Sequence, residues 1–185
     1  MKLILASNSP RRKDILKEFG YDFKVLASSF CEQDLAKHPV QTAKDNALGK
    51  ATEVFNLLTD PDALVLGADT VVYLDGEILG KPKDSAHAKF MLNQLSGRTH
   101  AVVTGYALIG KDIKIVDYDE SLVTFNSLSD TLIQEYVNTG LPLDKAGAYG
   151  IQNDYPLVKS LQGSKFNVIG LPIEKLKPLL DKYLK

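Results

Sequence analysis

Leu3-Ile4-Leu5-Ala6-Ser7-Asn8-Ser9-Pro10-Arg11-Arg12 opens the chain with an apolar run that empties into hydroxyls and two guanidinium groups. Ser9 is a good helix N-cap, Pro10 is pre-set for the first helical position, and Ile15, Leu16 and Phe19 recur at helical spacing before a stop at Gly20. A short strand therefore delivers its polar residues to the first turn of a helix. Cations are mildly unfavourable at that end of the helix dipole, so Arg11 and Arg12 there offer themselves, with free backbone N–H groups, to an anion such as phosphate. The plainer reading makes both arginines solvated surface residues, and on local grounds the balance tips slightly its way.

Downstream of Gly20 the same alternation of short strands and amphipathic helices continues, which is the pattern of an α/β domain with a mixed sheet and flanking helices. Phe23 to Leu26 reads as a strand, followed by a loop holding Ser28, Ser29, Cys31, Glu32 and Asp34. Pro39 opens a helix to about Leu58, with Val40, Ala43, Ala47, Ala51, Val54 and Leu58 along one side. Ala63 to Ala68 is a buried strand, and Val71 to Leu74, Asp75-Gly76 and Glu77 to Leu79 form a hairpin with a type I′ turn signal. Asp84 caps a helix carrying Ala88, Met91, Leu92 and Leu95, ended by Gly97. Two long β segments, His100 to Ile109 and Lys114 to Thr124, precede a helix from Ser129 to Gly140. The closing helix from about Ile173 contains Pro178 and is expected to bend or restart there.

The 185 residues suit one globular domain or two lobes sharing a core, and 44% hydrophobic with 24% charged residues describes a folded chain. A net charge of −1 argues against a general nucleic-acid or membrane binder, so any anion site is local. The single cysteine, Cys31, forms no internal disulfide, and no zinc-ligand spacing occurs. A reducing cytoplasm fits best. The opening apolar run is too short for a secretory leader, and no segment approaches a membrane span in length.

Several polar residues stand where this scaffold would bury something apolar. Asp69 directly follows Leu64-Val65-Leu66-Gly67-Ala68, at the expected end of a buried strand, where ligands of α/β sheets collect. Gly67 permits close approach of backbone or ligand, and Asp69 with Thr70 reads as a metal- or water-handling pair. The alternative is an Asp that caps its own turn. Glu32 and Asp34 matter only as metal partners for Asp69. On the helix from Pro39, a turn of about 100° per residue puts Lys44 nearer the middle of the apolar face and Lys50 at its edge, and the choice between them stays open. Lys81, in Gly80-Lys81-Pro82, fails the P-loop pattern but lies near Asp69 through the tight hairpin. His100 reads as a hydrogen-bonded structural residue. Asp144 through Gln152 mixes small residues with Tyr149 and Gln152, which suits either a flat ligand or a tight turn. Asp117, Asp119 and Glu120 read as a wet sheet face.

Ala6 to Arg12, Gly67-Ala68-Asp69-Thr70-Val71-Val72, Gly80-Lys81-Pro82, Ser96-Gly97-Arg98-Thr99-His100, Asp144 to Gln152 and Asn167-Val168-Ile169-Gly170-Leu171-Pro172 together resemble the Maf family of nucleotide pyrophosphatases. The ordered motifs run almost end to end, as for one domain over 1–185. The resemblance implies a fold similar to the inosine triphosphate pyrophosphatases: an elongated mixed sheet, two lobes, a deep cleft and commonly a homodimer. It implies hydrolysis of nucleoside triphosphates to monophosphate and pyrophosphate with Mg²⁺ or Mn²⁺.

Position by position, the resemblance implies that Ser7, Arg11, Arg12 and Lys50 hold phosphates, and it selects Lys50 over Lys44. It makes Asp69 the proton acceptor or metal-bound carboxylate, with Glu32 as its acidic companion at the metal and Lys81 as a further catalytic charge. Arg11, Thr70 and Gln152 are the positions it links to substrate choice, and the form of Asp144 to Gln152 is similar to the branch acting on dTTP and UTP rather than on 7-methyl-GTP. A non-catalytic nucleotide-binding regulator of septum formation is the alternative function. Two departures stand out: Cys31 precedes Glu32 where an acidic residue is frequent, and Asn46 replaces an apolar residue usual in its helix.

Overall fold

β1 (Lys2–Leu5) is buried from Leu3 onward and pairs in parallel with both β2 (Phe23–Val25) and β3 (Ala63–Leu74). In the computed structural model, which describes residues 1–35 and 38–184, these strands begin a seven-stranded mixed sheet. β4 (Glu77–Leu79), β5 (Thr99–Gly110), β6 (Ile113–Phe125) and β7 (Val158–Gln162) add to it antiparallel, in the order β2-β1-β3-β5-β6-β7 with β4 on β3. The helices are α1 (Pro10–Glu18), α2 (Pro39–Asn56), α3 (Ser85–Leu95), α4 (Asp130–Asn138), α5 (Lys165–Ile169) and α6 (Ile173–Tyr183). None is long and apolar enough to cross a membrane among the described residues.

Alternation along β3 divides the core. Leu64, Leu66 and Ala68 join Leu5, Leu16, Leu171, Ile173, Leu176 and Leu180 in one cluster, and Val72 and Leu74 join Leu92, Leu95, Phe125, Ile133 and Tyr136 in a second on the same face. The opposite face carries α2, whose Ala47, Ala51 and Val54 pack on Ala63, Val65 and Ala107. A Cβ added to Gly67 would lie 2.3 Å from the Ala47 carbonyl oxygen, and one added to Gly105 would lie 2.3 Å from Ala43 backbone atoms. The close approach expected at Gly67 is thus made by the backbone of α2 itself.

Some local expectations hold. Asp75 and Gly76 both take positive φ, 50° and 92°, in the hairpin turn, and the Asp84 and Ser129 side chains accept from the backbone N–H groups of His87 and Leu132 as helix caps. Others are corrected. Ala63 to Leu74 is one strand, because pairing with β5 continues from Val65 to Tyr73 while only the other edge changes partner, so Asp69 lies mid-strand. Ser9 sits at the N-cap position without capping through its side chain; instead its N–H donates to Ser7 Oγ at 3.1 Å. α6 runs through Pro178 without restarting.

Candidate active site

β1 ends at Leu5, and β4 joins β3 only from Val72, so Gly67 to Val71 have no strand partner on that edge. A cleft of about 540 Å³ opens at this interruption, within the range usual for small-molecule sites. Ser7, Arg11, Arg12, Glu32, Lys50, Asp69, Thr70, Lys81 and Gln152 all line it. Residues read from six separated stretches of sequence therefore converge on one cleft. Cys31 is exposed and is not among the lining residues.

Asp69 is 6% exposed and points toward α2. Lys50 Nζ donates to its Oδ1 at 2.7 Å, and Asn46 Nδ2 donates to its Oδ2 at 3.0 Å. Lys50 also reaches Glu32 Oε1 at 2.7 Å, so one ammonium spans both carboxylates. Lys44 is half-exposed, whereas Lys50 is buried, which reverses the order expected from angular counting along α2. Burial pushes the Glu32 carboxyl up, but the Lys50 hydrogen bond and charge, with Lys81 and Arg12, outweigh it and hold the group below its ordinary value.

Thr70 does not pair with Asp69, because adjacent strand residues face opposite sides of a sheet. Its Oγ1 lies 2.9 Å from Thr104 Oγ1 and accepts from Arg12 Nη2 at 3.3 Å. Arg12 also donates through Nε to the Gly170 carbonyl at 2.8 Å and through Nη1 to Ser7 Oγ at 3.2 Å. All three partners are neutral. Burial lowers the pKa of Arg12 from its ordinary value, and it makes no salt bridge among the described residues. A guanidinium fixed by neutral acceptors keeps its charge for an anion. Arg11 differs, donating through Nη1 to Asp144 Oδ2 at 2.5 Å, while Lys145 Nζ holds Asp144 Oδ1 at 2.6 Å.

The segment from Asp144 to Gln152 resolves into the tight turn rather than a stacking platform. Gly147 and Ala148 take φ of 65° and 59°, and the buried Tyr149 ring packs edge-to-face on His100 and Phe125. Its hydroxyl meets His100 Nε2 at 2.8 Å, and burial lowers the His100 pKa to about 4, so this histidine is structural, as expected. Gln152 remains exposed at the cleft. Asp117 and Glu120 are exposed and Asp119 pairs with Lys175 at 3.0 Å, as for a wet sheet face.

With this geometry in view, the Maf-like protein family matches the chain over residues 2–183. The chain belongs to that family. A dTTP/UTP pyrophosphatase of Symbiobacterium thermophilum is 46% identical over 184 residues, covering 98% of this chain and 94% of the other. A dTTP/UTP pyrophosphatase of Bacillus pumilus is 43% identical, covering 98% and 96%. The solved structure of a nucleoside-triphosphatase / dITP/XTP pyrophosphatase from Mycobacterium abscessus overlaps at a TM-score of 0.49 and 16% identity, covering 98% and 95%, too loosely to bear on the site.

Glu32 and Asp69, bridged by Lys50, are the cleft carboxylates that could hold a divalent cation. No group of three or more His, Cys, Asp or Glu side chains forms a metal cage among the described residues. Mg²⁺ is usually held by one or two carboxylates together with substrate phosphates and waters, so this pair fits an ion arriving on a polyphosphate. Asn46 stands out in the sequence only as a departure from the apolar residue usual in its helix, with no local signal for its place beside Asp69 in the cleft. Gly105, a glycine inside a long β segment, lies opposite Asp69 in the β3–β5 register.

Proposed function

We propose that this chain hydrolyses dTTP and UTP to the nucleoside monophosphate and pyrophosphate. The observation that carries the reading is the convergence on one cleft of Arg12, Lys81 and Ser7 with the carboxylates of Asp69 and Glu32. A triphosphate brings several negative charges that must be offset before water reaches the α-phosphorus. Arg12, with a guanidinium already oriented, binds them without further ordering, and Ser7, Lys81 and Arg11 add donors. Asp69 orients the attacking water and takes its proton. The oxygen bonds to the α-phosphorus, the α–β bridging bond breaks, and its electron pair leaves on pyrophosphate. Lys50 bridges both carboxylates and holds them in register. Mg²⁺ or Mn²⁺, when bound by Glu32 and Asp69, would supply charge neutralisation at the phosphates. Gln152, with a donor and an acceptor, reads a pyrimidine edge, and Arg11 and Thr70 share in substrate choice.

The reading carries with it a single domain over 1–185 that works as a homodimer on the cytoplasmic nucleotide pool. Incubation with a panel of nucleoside triphosphates and Mg²⁺ tests it. Monophosphate plus pyrophosphate, fastest from dTTP and UTP, is the expected outcome. Preference for 7-methyl-GTP would overturn the substrate, diphosphate plus phosphate would overturn the reaction, and binding without product would favour the regulator.

A further inference from the structure

We infer that Asn46 is a positioning residue for the proposed hydrolysis, setting the plane of the Asp69 carboxylate and tying it to the loop that carries Glu32. The inference rests on the reading just given. Asn46 is 2% exposed on the α2 face that also carries Ala43 and Ala47, where a leucine would satisfy packing alone. Its amide orientation follows from its partners: the Gln33 N–H donates to Oδ1 at 2.8 Å, so Nδ2 must face the Gln33 carbonyl at 2.9 Å and Asp69 Oδ2 at 3.0 Å. Both amide hydrogens are spent, one on the loop and one on the strand. Lys50, one turn further along α2, takes the other Asp69 oxygen at 2.7 Å. Two donors on separate oxygens fix the rotation of the carboxylate, where Lys50 alone would leave it free to turn about a single contact. Gln33 is the residue after Glu32, so one side chain indexes the main chain at Glu32 to Asp69.

The experiment measures kcat and KM for dTTP, the Kd of a dTTP analogue with a methylene in place of the α–β bridging oxygen, and Tm. Asn46→Leu keeps the packing and removes every hydrogen bond. Asn46→Asp keeps the shape and the Gln33 N–H contact but faces Asp69 with an acceptor. Both variants are expected to lose about 10- to 100-fold in kcat, the scale of a misplaced catalytic group, with analogue Kd within about threefold of wild type. Unchanged kcat in a folded variant overturns the inference, as does a loss that appears equally in analogue binding. Asn46→Leu decides the matter if Asn46→Asp does not fold. A wild-type chain that releases no pyrophosphate overturns the reaction and this inference together, whereas an active wild type with unaltered variants overturns the inference alone.

Discussion

Arg11 and Asp144 meet at the cleft with Nη1 donating to Oδ2 at 2.5 Å, although 133 positions separate them in the chain. The neighbouring Arg12 has only neutral acceptors. The two arginines are therefore unequal. Arg12→Ala should raise KM for dTTP by about 10- to 100-fold, the worth of one or two charge-assisted hydrogen bonds. Arg11→Ala should raise it less, because its charge is already partly offset, and Asp144→Asn should lower KM by releasing Arg11. Steady-state kinetics on the three variants check the order.

Asp69→Asn should remove the proposed proton acceptor while leaving the shape of the cleft. Loss of a general base costs about 10²- to 10⁴-fold. Turnover should fall by that amount while the methylene analogue of dTTP still binds, as measured by calorimetry.

Gly105 stands opposite Asp69 in the β3–β5 register, and an added Cβ there would strike the α2 backbone at 2.3 Å. Gly105→Ala should push α2 off the sheet and draw Asn46 and Lys50 away from Asp69. Overpacking of this kind costs about 1–3 kcal/mol. A lowered Tm together with a kcat loss larger than that of Asn46→Leu is the expected result.

His100 predicts a pH effect on stability. Its folded-state pKa is lowered to about 4 from 6.5 by burial, so the folded protein holds the neutral ring. Between those values the unfolded chain binds the extra proton, and stability rises with pH across that window. The contribution is complete above 6.5 and is lost as pH falls toward 4. It is on the order of 3 kcal/mol. His100→Gln keeps a hydrogen-bonding group for Tyr149 and should show a shallower decline than wild type in denaturant melts over this range.

What could be read before folding was local chemistry. The Asp75-Gly76 turn, the Asp84 and Ser129 caps and the apolar stripe of α3 each depend on residues within one turn or one hairpin. Asp69 was recognised as a carboxylate out of place, but its mid-strand position was hidden, because β3 exchanges β1 for β4 on one edge while β5 holds the other. That exchange is a property of three distant segments. Angular counting left the choice between Lys44 and Lys50 open for a related reason, and only the family resemblance selected Lys50. Angular counting assumes a helix centred on its most apolar arc, whereas α2 is seated by the bare backbone at Gly67 and Gly105, which turns Ala43, Ala47 and Ala51 inward and brings Lys50 with them. Asn46 read as a departure because its partners, Gln33 and Asp69, meet only when the loop folds back over α2.

The proposed hydrolysis delivers water to the α-phosphorus in a cleft lined by both Asp69 and the proposed phosphate-binding residues. Hydrolysis of dTTP in ¹⁸O-labelled water, with mass analysis of both products, tests it most directly. Attack at the α-phosphorus puts one labelled oxygen in dTMP and leaves the pyrophosphate unlabelled. Label in the pyrophosphate, or release of labelled phosphate with dTDP, would contradict it.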